Sequence, residues 1–161
     1  MSAEKVPMTP QGSQKLRDEL ARLKEERPKV SREIGVAREH GDLSENAEYH
    51  AAKERQGMIE ARIKDIEDKL SRAEVIDPSK LSGDRVKFGA SVTLMNIDTE
   101  EELEYRIVGA DEADLDQGTI SVSAPLARAL IAKAVGDEVV VNLPAGIRRY
   151  EIVSVDFVSG D

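Results

Sequence analysis

The chain of 161 residues has a formal net charge of −9, with 40% apolar and 3% aromatic residues. A chain of this length forms one ordinary domain or two small ones, and aliphatic side chains must fill the core. The sequence contains no cysteine, which excludes thiol catalysis, thiolate metal sites and disulfides. No apolar run approaches the ~20 residues that span a bilayer, and the N-terminus lacks the apolar core of a signal peptide. We therefore expect a cytoplasmic protein with no membrane partner.

The first predicted helix begins at Pro10 and runs to about His40. Thr9-Pro10 is typical of a helix start, with Thr9 as the N-cap and proline at the first helical position. Pro28 removes one backbone hydrogen bond, so we predict a kink near Glu25–Pro28. Apolar residues recur at alternating steps of four and three, the spacing of a coiled-coil seam. They are Leu16, Leu20, Leu23, Val30, Ile34 and Ala37.

The second predicted helix runs from about Ser44 to Ala73 and repeats this spacing. Its series is Glu45, Tyr49, Ala52, Gln56, Ile59, Ile63, Ile66 and Leu70. The two series are mirror images about Leu43, so the pattern predicts an antiparallel hairpin with one seam, which Arg27 and Gln56 interrupt without shifting it. At ~1.5 Å per residue, arms of roughly 30 residues give a hairpin about 45 Å long.

Beyond the hairpin the apolar period changes from 3.5 to 2, which predicts an α+β protein with a C-terminal sheet domain. The predicted domains are 1–77 for the hairpin, 78–83 for a linker and 84–161 for the sheet. One helix, over 125–134, should begin after a cap at Ser123 or Ala124 and pack on a face of a largely antiparallel sheet. The predicted strands are Val86–Phe88, Ala90–Ile97, Leu103–Val108, Thr119–Ser123, Glu138–Leu143 and Arg149–Val158.

Two carboxylates, Asp42 and Glu45, lie where the hairpin reverses. Capping is the commoner role for this spacing, with Asp42 or Ser44 as the N-cap of the second helix and Glu45 near its positive end. The alternative is Mg²⁺ binding. Mg²⁺ takes about six oxygens, of which one or two are carboxylates and the rest come from phosphates and waters. Asp42 and Glu45 would then be half a site, completed inside an enzyme that already holds one Mg²⁺ and a phosphodiester.

Basic residues on the tip half of the hairpin, Arg38, Lys53 and Arg55, are candidates for contacts with a nucleic-acid backbone. The alternative is pairing with Glu39, Glu48 and Glu54 on a solvated surface. His40 and His50 are too few for a histidine-rich metal site, so we place both on the helix surface. Residues 78–161 have a net charge of −7, so this half is a poor nucleic-acid binder, and a basic site on another protein is its better candidate partner.

The tip sequence Ala37–Glu54, AREHGDLSENAEYHAAKE, closely resembles the tip of the bacterial Gre transcript cleavage factors, in particular the GreA-like branch. The resemblance extends from about residue 6 to residue 158. It also includes four shorter segments: Val6–Thr9, Leu70–Asp77, Tyr105–Gly109 and Asp111–Asp114.

This resemblance implies a transcription factor, grouped with DNA-binding proteins, whose partner is bacterial RNA polymerase. Gre-like proteins insert the coiled coil through the polymerase secondary channel, and an FKBP-like C-terminal domain docks at the channel rim. The tip then helps the polymerase hydrolyse the nascent RNA 3′ end of a backtracked complex. The resemblance therefore implies a factor acting through the polymerase's active centre and not a free-standing enzyme. We expect a monomer.

Residue by residue, the resemblance implies three groups of functional positions. Asp42 and Glu45 match the acidic pair that binds a second Mg²⁺ shared with the polymerase active centre, not stably bound to the free protein. Arg38 and Lys53 match a basic patch that contacts the transcript. The polymerase-docking positions are Ser123, Ala124 and Pro125. Two alternatives remain: a channel binder that regulates without cleavage, and a coiled-coil adaptor whose tip is only a cap.

Overall fold

The computed structural model describes residues 4–40 and 46–157. The chain divides into two compact units, one of residues 14–72 and one that combines residues 1–13 with 73–161. The sequence predicted a hairpin domain over residues 1–77 and a linker over 78–83. In the structure residues 1–13 and 73–77 instead group with the sheet unit, and within it Val6–Met8 pairs with Ala73–Val75.

The hairpin unit consists of helix α1, Pro10–Arg38, and helix α2, Ala47–Ser71. Helix α1 continues through Pro28 as a single helix. Its start at Pro10 confirms the prediction, since the Gly12 amide donates to the Thr9 hydroxyl over 3.0 Å. The buried apolar residues of the two helices all belong to the predicted seam series, which confirms the antiparallel hairpin. They are Leu16, Val30, Ile34, Ala37, Ala52, Ile59, Ile63 and Ile66.

Ion pairs join the two helices on both sides of the seam and agree with the predicted register. Lys24 contacts Glu67 over 3.3 Å and Arg27 contacts Glu60 over 2.7 Å. Arg27, predicted to interrupt the seam, therefore lies at its edge with its side chain 44% exposed. On the other side, a pair joins Glu19 to Arg62 and another joins Glu33 to Arg55.

A short parallel pair of strands, which the sequence did not predict, lies in the other unit. Strand β1, Val6–Met8, pairs with strand β2, Ala73–Val75. The Ile76 amide extends the pairing by donating to the Met8 carbonyl over 2.9 Å. Three residues give too short a period to recognise, and the proline in β1 is a residue that weakens a strand assignment.

The main sheet has five strands in the order β5-β4-β3-β7-β6. All neighbours are antiparallel except β4 and β5, which confirms a largely antiparallel sheet. Helix α3, Pro125–Leu130, packs Ala127 and Leu130 into the aliphatic core on one face, as predicted. The strands are β3 Ser91–Asn96, β4 Glu102–Val108, β5 Thr119–Ser121, β6 Glu138–Leu143 and β7 Gly146–Asp156.

Two predictions about this unit are wrong. Val86–Phe88 is not a strand, because the Val86 amide and carbonyl bond to Lys133 and Ala132, beyond the end of α3, instead of to a sheet neighbour. Helix α3 was predicted to reach residue 134 but ends at Leu130. Ala132 has φ 75°, a left-handed conformation that cannot continue a right-handed helix.

Candidate functional site at the hairpin tip

The predicted acidic pair, Asp42 and Glu45, lies outside the described residues. The helix ends that frame it are described: α1 ends at Arg38, and α2 begins at Ala47 after its N-cap, Asn46. In the sequence, Asp42 and Glu45 therefore lie between the described end of α1 and the described start of α2.

Asn46 joins the two arms of the hairpin through both ends of its side-chain amide. Its oxygen accepts from the Tyr49 amide over 3.0 Å, and its nitrogen donates to the Ala37 carbonyl over 2.6 Å. One side chain therefore satisfies an amide at the start of α2 and a carbonyl near the end of α1, groups that helix termini leave open. The prediction that Asp42 or Ser44 caps α2 is wrong, because Asn46 has this role.

Arg38 and Lys53 lie on one flank of the hairpin. Both are exposed, and helical periodicity turns both to the flank of the Lys24–Glu67 pair, two heptads nearer the tip. Arg38 therefore corresponds to Lys24, and Lys53 corresponds to Glu67. Where the Lys24–Glu67 pair has a cation and an anion, this position has two cations. Within the described ranges neither Arg38 nor Lys53 forms an ion pair. Two exposed cations at this position do not attract each other, in contrast to the Lys24–Glu67 pair.

The opposite flank carries paired charges near the tip. His40 Nδ1 lies 3.4 Å from Glu48 Oε2, and Arg55 pairs with Glu33. The alternative prediction from the sequence was that the basic residues near the tip pair with Glu39, Glu48 and Glu54. The observed partners are different because the pairs cross between the helices. His40 and His50 are both exposed, as predicted.

The predicted docking residues Ser123, Ala124 and Pro125 form the turn between β5 and α3. The Ser123 amide donates to the Ser121 hydroxyl over 3.1 Å, and the two serine hydroxyls lie 2.8 Å apart. Ala124 is the N-cap of α3, without a side-chain bond. Ser123 and Pro125 are exposed, so a fixed turn presents both to solvent.

A carboxylate that sequence reasoning did not single out, Glu112, holds the start of α1. It accepts from the Thr9 amide over 2.9 Å and the Gly109 amide over 3.0 Å, and the Thr9 hydroxyl also donates to it. A Cβ at Gly12 would overlap the Glu112 side chain, and one at Gly109 would lie 2.7 Å from the Pro7 carbonyl oxygen. We call this cluster the Thr9–Glu112 latch. In the sequence, the feature that could have indicated this cluster is Gly12, a glycine in the first turn of a helix.

Within the described ranges, no helix is long and apolar enough to cross a membrane, and no three His, Cys, Asp or Glu side chains form a group that could hold a metal.

The fold and the tip define a two-part protein: a helical hairpin that exposes polar groups near its reversal, and a separate sheet unit. Two family models match these parts: the N-terminal model of the transcription elongation factors over residues 6–75, and the GreA/GreB C-terminal model over residues 81–157. The chain belongs to the GreA/GreB family of transcription elongation factors.

Relatives agree over almost the whole chain. Transcription elongation factor GreA of Francisella philomiragia is 62% identical over 159 residues, which are 98% of this chain and 99% of the relative. That of Phenylobacterium zucineum is 61% identical over 96% of this chain and 99% of its own length. The crystal structure of GreA factor homolog 1 from Thermus thermophilus is 30% identical, covers 94% of this chain and 99% of its own, and has a TM-score of 0.44.

Proposed function

We propose that this elongation factor acts on bacterial RNA polymerase as a transcript cleavage factor. The hairpin tip enters the secondary channel of a backtracked complex, and Asp42 and Glu45 help the polymerase hydrolyse the extruded RNA 3′ end. The protein itself is not a nuclease, because the polymerase supplies the first Mg²⁺ and the phosphodiester. It works as a monomer in the cytoplasm.

The observation that carries this proposal is the side chain of Asn46. Because Asn46 caps α2 and also bonds the Ala37 carbonyl, the hairpin does not need Asp42 as a helix cap. Asn46 also has its oxygen and nitrogen engaged, so it is a poor third metal ligand. The tip is left with two carboxylates, a donor set that suits Mg²⁺ but fills only part of its shell.

Mg²⁺ bound there would lower the pKa of a coordinated water and stabilise charge on the phosphodiester. The contribution of this chain is to carry the carboxylates to the polymerase and to orient them. The Asn46 bridge ties the start of α2 to the end of α1, the two described helix ends on either side of these carboxylates in the sequence.

The flank that carries Arg38 and Lys53 supports a contact with RNA. Two exposed cations at a cross-helix position gain from a phosphate between them, since this replaces repulsion by two attractions. The docking turn at Ser123–Pro125 lies in the acidic sheet unit, which favours a basic surface at the channel rim.

The test uses stalled polymerase with end-labelled RNA. Asp42→Asn and Glu45→Gln keep size and polarity but remove a charged Mg²⁺ ligand. We expect cleavage to fall by about 10- to 100-fold or more, the range found when groups that support a catalytic metal are lost. Polymerase binding should remain unchanged.

Three results would contradict the proposal or replace it. Full cleavage by the doubly substituted protein would remove the role of the carboxylates. Hydrolysis of RNA by the purified chain alone would make it a nuclease. Polymerase binding by the unsubstituted protein without any cleavage would favour the alternative channel binder.

The basic patch is tested separately with Arg38→Glu and Lys53→Glu. These changes should weaken RNA crosslinking to the hairpin and lower cleavage most at low salt, because added salt already weakens phosphate contacts in the unsubstituted protein. Lys64→Glu is the matched control, since Lys64 is an exposed lysine of α2 far from the tip.

A further inference from the structure

The hairpin has a groove on the flank opposite Arg38 and Lys53. Its volume is about 710 Å³, and it lies between α1 and α2 on the tip half of the hairpin unit. Alanines at positions 37, 51 and 52 form a shallow floor. Val36, beside them, is 54% exposed. Small side chains thus leave an aliphatic depression on the hairpin surface.

The charges around this groove are unevenly matched. Arg55 is paired with Glu33, and Glu48 is paired with His40. Lys29 and Arg32, which line the groove from α1, form no ion pair within the described ranges. The rim therefore has two spare cations beside an aliphatic floor.

The lining argues against a nucleic acid in this groove. Among the described residues that line it, none is aromatic, whereas single-stranded RNA is usually bound by stacking bases on rings. An aliphatic floor with spare cations fits a protein segment that has an apolar side chain next to an Asp or Glu.

We propose that this groove is a protein-docking site for the polymerase channel wall, which inserts an aliphatic side chain and places a carboxylate against Lys29 and Arg32. The inference rests on the proposed function, because a tip enclosed by the polymerase brings this flank against protein. In the sequence Ala37 lies six residues before Leu43, so the groove is close to the predicted tip. The two flanks then have different partners: the Arg38–Lys53 flank contacts RNA, and the flank with the groove contacts protein.

The test fills the groove without adding charge. Ala51→Leu places a larger side chain in the floor, and Ala61→Leu makes the same change at an exposed position of α2 that does not line the groove. We expect Ala51→Leu to raise the Kd for polymerase by about 10-fold, the effect of losing one well-packed contact. Ala61→Leu should leave the Kd unchanged. Helicity by circular dichroism should be equal in both variants.

A second variant tests the charges. Lys29→Glu should also raise the Kd, and the loss should shrink as salt is added; Lys64→Glu is the control. Wild-type affinity for both Ala51→Leu and Lys29→Glu would overturn the proposal. Loss of RNA crosslinking with unchanged polymerase affinity would assign the groove to nucleic acid instead, and a concentration-dependent dimer that Ala51→Leu abolishes would assign it to a second copy.

These outcomes are separable from failure of the proposed function. Asp42→Asn should lower cleavage at saturating protein while binding persists, whereas Ala51→Leu should weaken binding while cleavage recovers at saturating protein. If the unsubstituted protein binds polymerase without stimulating cleavage, the cleavage proposal fails but the docking groove is still tested by affinity.

Discussion

The two units of this protein are stabilised in different ways. The hairpin buries a single row of seam residues and has ion pairs along both flanks, whereas the sheet unit encloses a continuous aliphatic cluster. Leu94, Ile107 and Ile152 in that cluster are each 0% exposed. The hairpin can therefore change residues on its flanks at little cost in stability, so its flanks are free to carry contacts with RNA and protein.

The comparison is tested most strongly by one substitution made in each unit. Ile152→Ala in the sheet core and Ile63→Ala in the hairpin seam delete the same atoms at positions 0% and 2% exposed. We expect Ile152→Ala to cost about 3–5 kcal/mol and Ile63→Ala about 2–3 kcal/mol, because a seam between two helices collapses more easily around a cavity. Urea denaturation with peptide-resolved hydrogen exchange measures both. A larger loss in the hairpin would reverse the comparison.

The Thr9–Glu112 latch should give the next largest effect. Glu112→Ala leaves the Thr9 and Gly109 amides without their acceptor, at an expected cost of about 1–3 kcal/mol. Glu112→Gln keeps one oxygen and should cost less. Hydrogen exchange should increase at the start of α1 and around residue 109, with residues 47–71 unchanged. Exchange in Glu112→Gln equal to that of the unsubstituted protein would show that the carboxylate charge is unimportant, and exchange equal to that of Glu112→Ala would contradict the expected smaller cost.

Asn46 should have a smaller effect that separates its two bonds. Asn46→Ala removes the cap and the bond to the Ala37 carbonyl, for an expected loss of about 1–2 kcal/mol. Asn46→Asp keeps the cap oxygen but cannot donate to that carbonyl. Denaturation of the two variants therefore gives each contribution. If Asn46→Asp matches the unsubstituted protein, the bridge to α1 adds nothing.

The smallest predicted effect is an acid sensitivity of the hairpin. The hydrogen bonds from Arg62 hold the pKa of Glu19 below its usual 4.5, against an opposing effect of burial. The hydrogen bond from Lys69 likewise holds the pKa of Asp65 below 3.8. Because these pKa values are lower in the folded state, the stability they contribute is present above pH 4.5 and is lost as the pH falls through the folded-state values.

Arg62→Met should therefore cost at most about 1 kcal/mol near neutral pH, since these side chains are partly exposed. Urea denaturation of the variant and the unsubstituted protein should give converging stabilities as the pH approaches about 3. A difference that stays constant over this range would mean that Arg62 acts through packing of its aliphatic stem and not through charge.

The sequence predicted the hairpin well because its signal is long and local. Seam residues such as Ile34 and Ile59 repeat over many turns, and the symmetry about Leu43 sets the register. Short elements carried no comparable signal. Strand β1 has three residues, and the end of α3 depends on the left-handed backbone of Ala132, which a non-glycine residue does not indicate.

The acidic pair of the candidate site stays a prediction, because it lies outside the described residues, and the supports around it were predicted less well than the hairpin. The carboxylates Asp42 and Glu45 stood out by charge and position, but the capping role given to Asp42 or Ser44 belongs to Asn46. Sequence spacing does not reveal which of several capping residues the backbone will use. Glu112 was missed because its partner Thr9 is 103 residues away, and no local pattern records such a contact.

The discontinuous sheet unit has a consequence for the order of folding during synthesis. Thr9 leaves the ribosome 103 residues before Glu112, which takes about 5 to 20 seconds at roughly 5–20 residues per second. The helical arms can associate within that interval, while the first turn of α1 waits without its carboxylate. We therefore expect the start of α1 to become ordered only after Glu112 has been synthesised, later than the pairing of the helices over their seam.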